Sequence, residues 1–285
     1  MSKRLDYIDK YNLLKMSKNL VLSAAIGYKF SQIEFFIKSL RKFYNDKVVF
    51  LTSGRDIKLE KELKKFNCET IKMDINKKEI QFKRYEVFLN YLQNKEFGNI
   101  LLCDSRDIYF QANPFEFNYN GKINFFLEDQ LIKNCYYNSN WILKTYGKEE
   151  FKKISNKVIL CSGTVVGRGE NIKNYLKSIT TNIFKFKYKK KLKYLLTFRP
   201  DPEGRGCDQG HANFLVHNSK IDNFKLYSNS HGPVATVLYL KKINFDEKSN
   251  LINEDGKPYL LVHQFDKRWN EFEKPIENFK SNIEI

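Results

Sequence analysis

Two acidic side chains directly follow a short apolar segment in the first half of the chain. Asp104 and Asp107 come after Ile100-Leu101-Leu102-Cys103, which is typical of a buried strand. Burying two unpaired carboxylates is costly, so we expect both acids at the open carboxyl end of that strand. A hard divalent cation would satisfy both. The alternative is that one of them pairs with Arg106 or caps a turn.

The segments around this acidic pair alternate between strand and helix. The predicted strands are apolar on both faces, and the predicted helices carry apolar residues at i, i+3 and i+4. This alternation indicates a mostly parallel sheet covered by helices, with ligands bound beyond the carboxyl ends of its strands. The predicted strands are 20–26, 48–51, 70–73 and 100–103. The first predicted helix opens at a capping box, Ser31-Gln32-Ile33-Glu34, with an apolar face that runs to Leu40, and two further helices are predicted at 59–66 and 85–92.

The second half of the chain is less regular. Strands are predicted at 123–127, 158–160, 164–166 and 259–262, helices near 139–146 and 170–178, and a Pro- and Gly-rich loop at 199–206. The composition does not shift abruptly, so we predict one α/β domain over 1–285. No G-x-G-x-x-G follows the first strand and no G-x-x-x-x-G-K-[ST] occurs, which argues against a dinucleotide oxidoreductase and a P-loop NTPase.

The net charge of +17 resembles that of a nucleic-acid-binding protein, but 41 of the 50 basic residues are Lys and 9 are Arg. Arg is the side chain that forks onto phosphates and bases, so we attribute the charge to an AT-rich coding genome and expect no nucleic-acid partner. The densest basic cluster, Lys185–Lys193, interleaves aromatic residues. It could touch an anionic membrane surface, although a solvated face is the simpler interpretation.

The five cysteines are odd in number and no pair is spaced C-x-x-C, so neither a disulfide framework nor a zinc module is indicated. No apolar run reaches the ~18 residues of a membrane span. The first 20 residues lack the continuous apolar stretch of a secretory signal. We therefore expect a reducing, cytoplasmic location, with membrane contact limited to the basic cluster.

The block from Asp104 to Phe115, with Asp107, Gln111 and Pro114 inside it, resembles the acidic motif of GT-A glycosyltransferases. It is similar to a group distantly related to the family-8 retaining transferases. In these enzymes the motif binds a divalent metal that holds the diphosphate of a sugar nucleotide. The usual form is D-x-D, whereas this chain has D-x-x-D. The resemblance implies that Asp107 is the last metal-binding acid and that Asp104 binds metal, ribose or sugar.

Two further blocks agree with the family in order and spacing. The segment around Ser162-Gly163 resembles the small-residue strand beside the donor sugar. Asp208-Gln209, followed by Asn213, resembles the D-Q-x-x-x-N block that meets the sugar and the anomeric centre. The resemblance therefore implies catalytic roles for Asp208 and Gln209, and contact of Ser162 and Gly163 with the donor.

A late block, Val262 to Trp269, resembles the His motif that completes the metal site in the family. It implies His263 as the third metal ligand, and a diphosphate contact through Lys267 or Arg268. Oxygen ligands combined with an imidazole nitrogen favour Mn²⁺, with Mg²⁺ as the alternative. The family also implies a GT-A fold, which is Rossmann-like, with a nucleotide-binding half at about 19–115 and an acceptor half at about 116–285.

The donor's base and ribose are expected against Ala24, Ala25 and Tyr28, at the end of the first strand. Small side chains let a flat base approach the backbone, and a tyrosine ring can stack on it. Arg84 is the one Arg in a Lys-rich stretch, and its fork could grip the diphosphate or Asp104. The alternative for Arg84 is an ordinary surface position.

The reaction that this resemblance implies is transfer of a sugar from a nucleotide-diphosphate sugar to an acceptor hydroxyl, with retention of configuration. The acceptor, whether glycan, lipid-linked or protein, is not indicated. Three alternatives stay open: an inactive transferase-like binding module, a basic polyanion- or membrane-surface-binding protein, and a nucleotidyltransferase. The last needs a Gly-rich, Arg-containing loop after the first strand, which residues 24–29 do not supply.

Overall fold

The computed structural model describes residues 18–74, 79–120, 122–197 and 207–285; the side chains of 187–197 lie outside this description. A seven-stranded sheet with the order β3-β2-β1-β4-β7-β6-β8 forms its centre. The described strands are β1 (Leu20–Ala24), β2 (Lys47–Thr52), β3 (Cys68–Lys72), β4 (Asn99–Cys103), β5 (Ile108–Phe110), β6 (Ile123–Leu131), β7 (Val158–Arg168), β8 (Phe224–Tyr227), β9 (Val234–Thr236), β10 (Asn244–Phe245), β11 (Leu251–Ile252) and β12 (Leu261–His263).

Helices cover both faces of this sheet. The described ones are α1 (Glu34–Phe43), α2 (Ile57–Lys65), α3 (Ile80–Leu92), α4 (Tyr136–Tyr146), α5 (Lys148–Ile154), α6 (Gly169–Thr197), α7 (Cys207–His217) and α8 (Trp269–Asn282). Along β1, Leu20 and Leu22 pack with α3, α6 and α7, whereas Val21 packs with α1 and α2. Because successive strand residues face opposite sides, a strand that is apolar at every position is buried between two helical layers.

The sheet confirms the predicted alternation of strand and helix in the first half. β1 pairs in parallel with both β2 and β4, and β2 pairs in parallel with β3. β7 then runs antiparallel to β4 and β6, while β6 and β8 are parallel. The fold is therefore α/β, with a mixed, mostly parallel sheet flanked by helices, and it is compatible with a Rossmann-like fold. The predicted strands 158–160 and 164–166 are one continuous strand, β7.

The predicted start of the first helix is wrong by two residues. Ser31 was expected to cap it, but Phe30–Gln32 forms a short 3₁₀ helix and α1 begins at Glu34. The side chain of Gln32 accepts a hydrogen bond from the backbone N–H of Lys29 at 2.9 Å, so the capped residue lies two positions earlier than predicted. Ser31 and Glu34 match the sequence pattern of a capping box, but the backbone N–H groups at this position are satisfied by the 3₁₀ turn that precedes α1.

A small three-stranded sheet, in the order β5-β12-β9, lies beside the main one. β5 begins immediately after the acidic block, and β12 pairs with it antiparallel, with His263 opposite Ile108. β12 also pairs in parallel with β9. This ladder brings a segment from the end of the chain to the carboxyl end of β4.

The predicted basic cluster falls in α6, whose backbone is helical through Thr197. The side chains of 187–197, which include most of Lys185–Lys193, lie outside the described residues, as does the predicted loop 199–206. Within the part of the chain that the structure describes, no helix is both long enough and apolar enough to cross a membrane. All five cysteines are described, and none forms a disulfide.

Candidate metal centre and its surroundings

Asp104, Asp107 and His263 meet at the carboxyl end of β4, where one ligand atom of each lies within 4.8 Å of the others. Nε2 of His263 is 3.7 Å from Oδ2 of Asp104 and 3.6 Å from Oδ1 of Asp107. These separations are too long for good hydrogen bonds but suit three ligands around one ion. The imidazole is 2% exposed and the Asp104 side chain 38%, so the cluster opens to solvent on its acidic side.

Backbone hydrogen bonds hold each member of this cluster. The N–H of Asp104 donates to the carbonyl of Gly163 on β7 at 2.9 Å. Ser105 donates its hydroxyl to the carbonyl of Ala24 at 2.8 Å, which joins the acidic loop to the end of β1. Gln264 takes a left-handed conformation with φ 66° and donates its N–H to the carbonyl of Asp107 at 2.8 Å. The acids and the imidazole are therefore fixed by the ladder itself.

Gly163 has no side chain, and the side chains of His263 and Asp104 occupy the space where one would lie. A Cβ built on it would lie 2.4 Å from Cε1 of His263 and 2.7 Å from Oδ2 of Asp104. Any larger residue would push these two side chains apart. Gly163 was predicted to lie beside the donor, and the structure brings it against the candidate metal ligands. Two carboxylates and one imidazole nitrogen in a cradle of this kind fit a divalent transition metal.

Arg84, on α3, joins the cluster to α7. It donates to Oδ1 of Asp104 at 2.6 Å and to Oδ2 of Asp208 at 2.7 Å. Its side chain is 15% exposed, which rules out the surface alternative and leaves the predicted grip on Asp104. Burial alone would raise the pKa of Asp104, but Arg84 and His263 hold it well below its usual range. Burial, together with the nearby charges of Asp104 and Asp266, raises the pKa of Asp107.

Arg106 does not pair with either acid of the cluster in the described ion pairs. It donates instead to Asp266 at 2.6 Å, and Lys267 lies 3.6 Å from the same carboxylate. Lys267 is about half exposed and shares no described ion pair with Asp104 or Asp107. Its predicted contact with a diphosphate stays a prediction.

Asp208 and Gln209 occupy the first turn of α7. The carboxylate of Asp208 is 5% exposed and accepts from Arg84 and, at 2.8 Å, from the hydroxyl of Tyr85. The amide of Gln209 is oriented from both ends: Oε1 accepts from the N–H of Ser162 at 3.4 Å, and Nε2 donates to Glu128 at 3.2 Å. The structure thus brings the two predicted catalytic residues to the side of the cluster formed by β7.

Asn213, one helical turn beyond Gln209, anchors α7 to the sheet. It is fully buried, accepts from the N–H of Leu160 at 2.9 Å and donates to the carbonyl of the same residue at 2.9 Å. It also donates to the carbonyl of Gln209 at 2.8 Å. Asn213 therefore positions the helix that carries the Asp-Gln pair.

The residues predicted to hold the base lie at the end of β1. Ala25 has no exposed surface and packs with α1, whereas Ala24 and Tyr28 are half-buried. The carbonyl of Ala24 accepts a hydrogen bond from Ser105, the residue that follows Asp104, so the end of β1 lies beside the acidic loop. Their contact with a nucleotide base stays a prediction.

Sequence reasoning did not place three side chains behind the cluster, and it weighed Glu128 only as a general base in the event of inversion. Glu128 on β6 is 2% exposed, Asn138 on α4 accepts from Gln209 at 3.4 Å, and Sγ of Cys161 on β7 lies 3.3 Å from Nδ1 of His263. Burial raises the pKa of Glu128 to about 7, against the opposing effects of His263 and hydrogen-bond donors. The sequence marks Glu128 as an acid at the end of an apolar run, Phe125-Phe126-Leu127, which is the same signal that marked Asp104.

No protein-family model matches this sequence. No curated protein is similar to it at a significant level. What the site does is therefore inferred from its residues and their geometry.

Proposed function

We propose that this protein is a metal-dependent glycosyltransferase of the GT-A fold, which moves a sugar from a nucleotide-diphosphate sugar to an acceptor hydroxyl. The observation that carries the proposal is the convergence of Asp104, Asp107 and His263 beyond the carboxyl end of β4. Ligands of parallel α/β sheets bind at that edge. Arg84 connects this cluster to Asp208, which is followed by Gln209. In this proposal the cluster binds the metal, and the Asp208-Gln209 pair binds the sugar.

The two Asp side chains and His263 would hold Mn²⁺, with Mg²⁺ as the alternative. When bound, the metal supplies Lewis-acid neutralisation of the diphosphate that leaves as the glycosidic bond breaks. The exposed face of Asp104 leaves an approach for that diphosphate from solvent. Lys267 lies on the helical turn that follows His263, and we assign it to the diphosphate as well.

Asp208 and Gln209 serve the sugar in this proposal. The Asp208 carboxylate, fixed by Arg84 and Tyr85, would orient a sugar hydroxyl and stabilise positive charge that develops at the anomeric carbon. The Gln209 amide would lie near that carbon, with Ser162 and Gly163 along the sugar. With Asp208 in this role, no carboxylate is assigned to deprotonate the acceptor from the opposite side, and we propose retention of configuration.

The donor's base and ribose would rest against Ala24, Ala25 and Tyr28, in the nucleotide-binding half, and we propose a cytoplasmic location. The D-x-x-D spacing, which favoured an inactive binding module, is compatible with a working site. Asp104 directly follows β4 and Asp107 directly precedes β5, so the extra residue lies in the connection between the two strands and the ligand oxygens still converge.

The test is a thermal-shift screen of sugar nucleotides in Mn²⁺ and in EDTA, followed by assay of nucleoside diphosphate release. A ligand at 100 times its dissociation constant adds about 2.7 kcal/mol of stability. We expect one donor to stabilise the protein in Mn²⁺ alone and then to be turned over. A shift without turnover would favour the inactive binding module. No shift for any sugar nucleotide, and no Mn²⁺ binding, would contradict the proposal.

A further inference from the structure

Two buried side chains lie behind the candidate metal cluster and have no part in the proposed reaction. Cys161 on β7 and Glu128 on β6 are 1% and 2% exposed. Sγ of Cys161 is 3.3 Å from Nδ1 of His263. Nδ1 is the ring nitrogen opposite Nε2, which faces Asp104 and Asp107. Cys161 therefore touches the imidazole on the side away from the acids.

Glu128 lies among three polar side chains from three elements. It accepts from Nε2 of Gln209 at 3.2 Å, and Cys161 and Gln264 lie close enough to it to stabilise its charged form. A thiol has one proton to donate and a sulfur that accepts. If the proton of Cys161 goes to the Glu128 carboxylate, its sulfur is left to accept Nδ1–H of His263. This arrangement leaves the Nε2 lone pair free on the side of the acids.

We propose that Cys161 and Glu128 are positioning residues that connect His263 to Gln209. Cys161 fixes the ring and tautomer of the metal-ligating imidazole, and Glu128 fixes both the thiol and the Gln209 amide. This inference rests on the proposed function, because it requires a metal at the Asp-Asp-His cluster. Its consequence is that changes at Glu128, which is not one of the cluster's ligands, weaken metal binding as well as sugar transfer.

The first measurement is Mn²⁺ affinity, followed by the loss of the free-ion EPR signal on titration. Partners behind a metal-ligating His typically contribute 10- to 100-fold in affinity. We expect Cys161→Ala to lower Mn²⁺ affinity by about that factor, and Cys161→Ser to restore most of it, since a hydroxyl also donates once and accepts. Cys68→Ala is the matched control: Cys68 is also a buried strand cysteine, and it lies next to Arg41.

The second measurement uses Glu128. Glu128→Leu removes every acceptor while filling the space, and Glu128→Gln keeps one acceptor oxygen for Gln209. We expect Mn²⁺ affinity to fall in the order wild type, Glu128→Gln, Glu128→Leu, with the proteins folded by circular dichroism. In the Co²⁺-loaded protein, NMR should show an exchangeable Nδ1–H resonance that Cys161→Ala loses through exchange with water. A packing role alone would leave both readouts unchanged.

The outcomes separate this inference from the proposed reaction. A folded Cys161→Ala protein with wild-type Mn²⁺ affinity and an intact Nδ1–H resonance would overturn the inference, whatever the enzyme activity. A wild-type protein that binds Mn²⁺ but transfers no sugar would contradict the proposed reaction, and the affinity losses would still support the inference. A wild-type protein that binds no Mn²⁺ at all would overturn both.

Discussion

Gly163→Ala is the smallest change that tests whether Asp104 and His263 act together. The new methyl carbon would lie 2.4 Å from Cε1 of His263 and 2.7 Å from Oδ2 of Asp104. Non-bonded carbon atoms sit about 3.5 Å apart or more, so the imidazole or β7 must move by about 1 Å. Metal sites hold their ligand distances to within about 0.2 Å. The displacement is thus several times what the site tolerates.

We expect Gly163→Ala to lower Mn²⁺ affinity by at least the 10- to 100-fold that follows loss of a supporting contact. The assay is the same EPR titration, with folding checked by circular dichroism and thermal unfolding. Gly167→Ala is the matched control, because Gly167 lies on the same strand four residues later. Its added Cβ would be 3.0 Å from the carbonyl oxygen of Lys122 and 3.2 Å from Cα of Ile123, contacts that are tight but remote from the acids.

Two outcomes of the comparison between Gly163→Ala, Gly167→Ala and the wild type would contradict this reasoning. If Gly163→Ala folds and binds Mn²⁺ as tightly as the wild type, Asp104 and His263 cannot both be ligands from their observed positions. If Gly163→Ala and Gly167→Ala lose affinity equally, the loss belongs to β7 as a whole and not to the cradle. Only a loss confined to Gly163→Ala supports the geometry described above.

Four further predictions concern the same site. Asp107→Ala should abolish Mn²⁺-dependent donor binding by calorimetry without unfolding the protein; unchanged Mn²⁺-dependent turnover would refute the assignment. Tyr28→Ala should raise the donor KM more than it lowers kcat, because base binding is equal in ground and transition states. Asp208→Asn should cut kcat far more than donor affinity, and early NMR of the product's anomeric proton should show retention; an inverted product would make the Gln209 assignment wrong. Burial raises the pKa of Glu128 to about 7 from its usual 4.5, so the folded state binds this proton more tightly than the unfolded state and the free energy of unfolding falls as pH rises from 4.5 to 7. At 1.36 kcal/mol per pKa unit, chemical denaturation in EDTA should show Glu128→Gln gaining about 3 kcal/mol of stability relative to the wild type between pH 4.5 and pH 8. A stability difference that stays constant with pH would contradict this.

The fold of the first half of the chain could be predicted because its signals are local. The first strand is apolar at three successive positions, Leu20, Val21 and Leu22, and a strand of this kind is stable only when helices bury both of its faces. Asp104 could be predicted because burying a carboxylate is costly, so an acid that follows a buried strand lies at the edge of the sheet. The error at Ser31 had the same local origin, since a matching four-residue pattern does not exclude a competing 3₁₀ turn.

The contacts between distant segments could not be predicted in this way. Arg84 and Asp208 are 124 residues apart, and nothing in either segment specifies the other. β5, β9 and β12 have three residues each, too few to display a periodicity. Glu128 had a local signal, but its partners Cys161 and Gln209 come from two other elements. Of these, only Asp208, Gln209 and His263 were expected at the site of the acidic block, and that expectation came from the resemblance to a family.

The Asp-Asp-His cluster depends on the register of a very short ladder. His263 stands opposite Ile108, one residue beyond Asp107, and the backbone N–H of Gln264 continues the contact to the carbonyl of Asp107. Because side chains alternate across a strand, a slip of β12 by one residue would turn His263 to the other face of the small sheet. Packing resists that slip: Val262, its neighbour, is fully buried among Tyr109, Phe265 and Phe272. The apolar residues next to the cluster therefore specify the candidate metal site as much as the three polar side chains do. The left-handed conformation of Gln264 ends the ladder at the point where the imidazole meets the two acids.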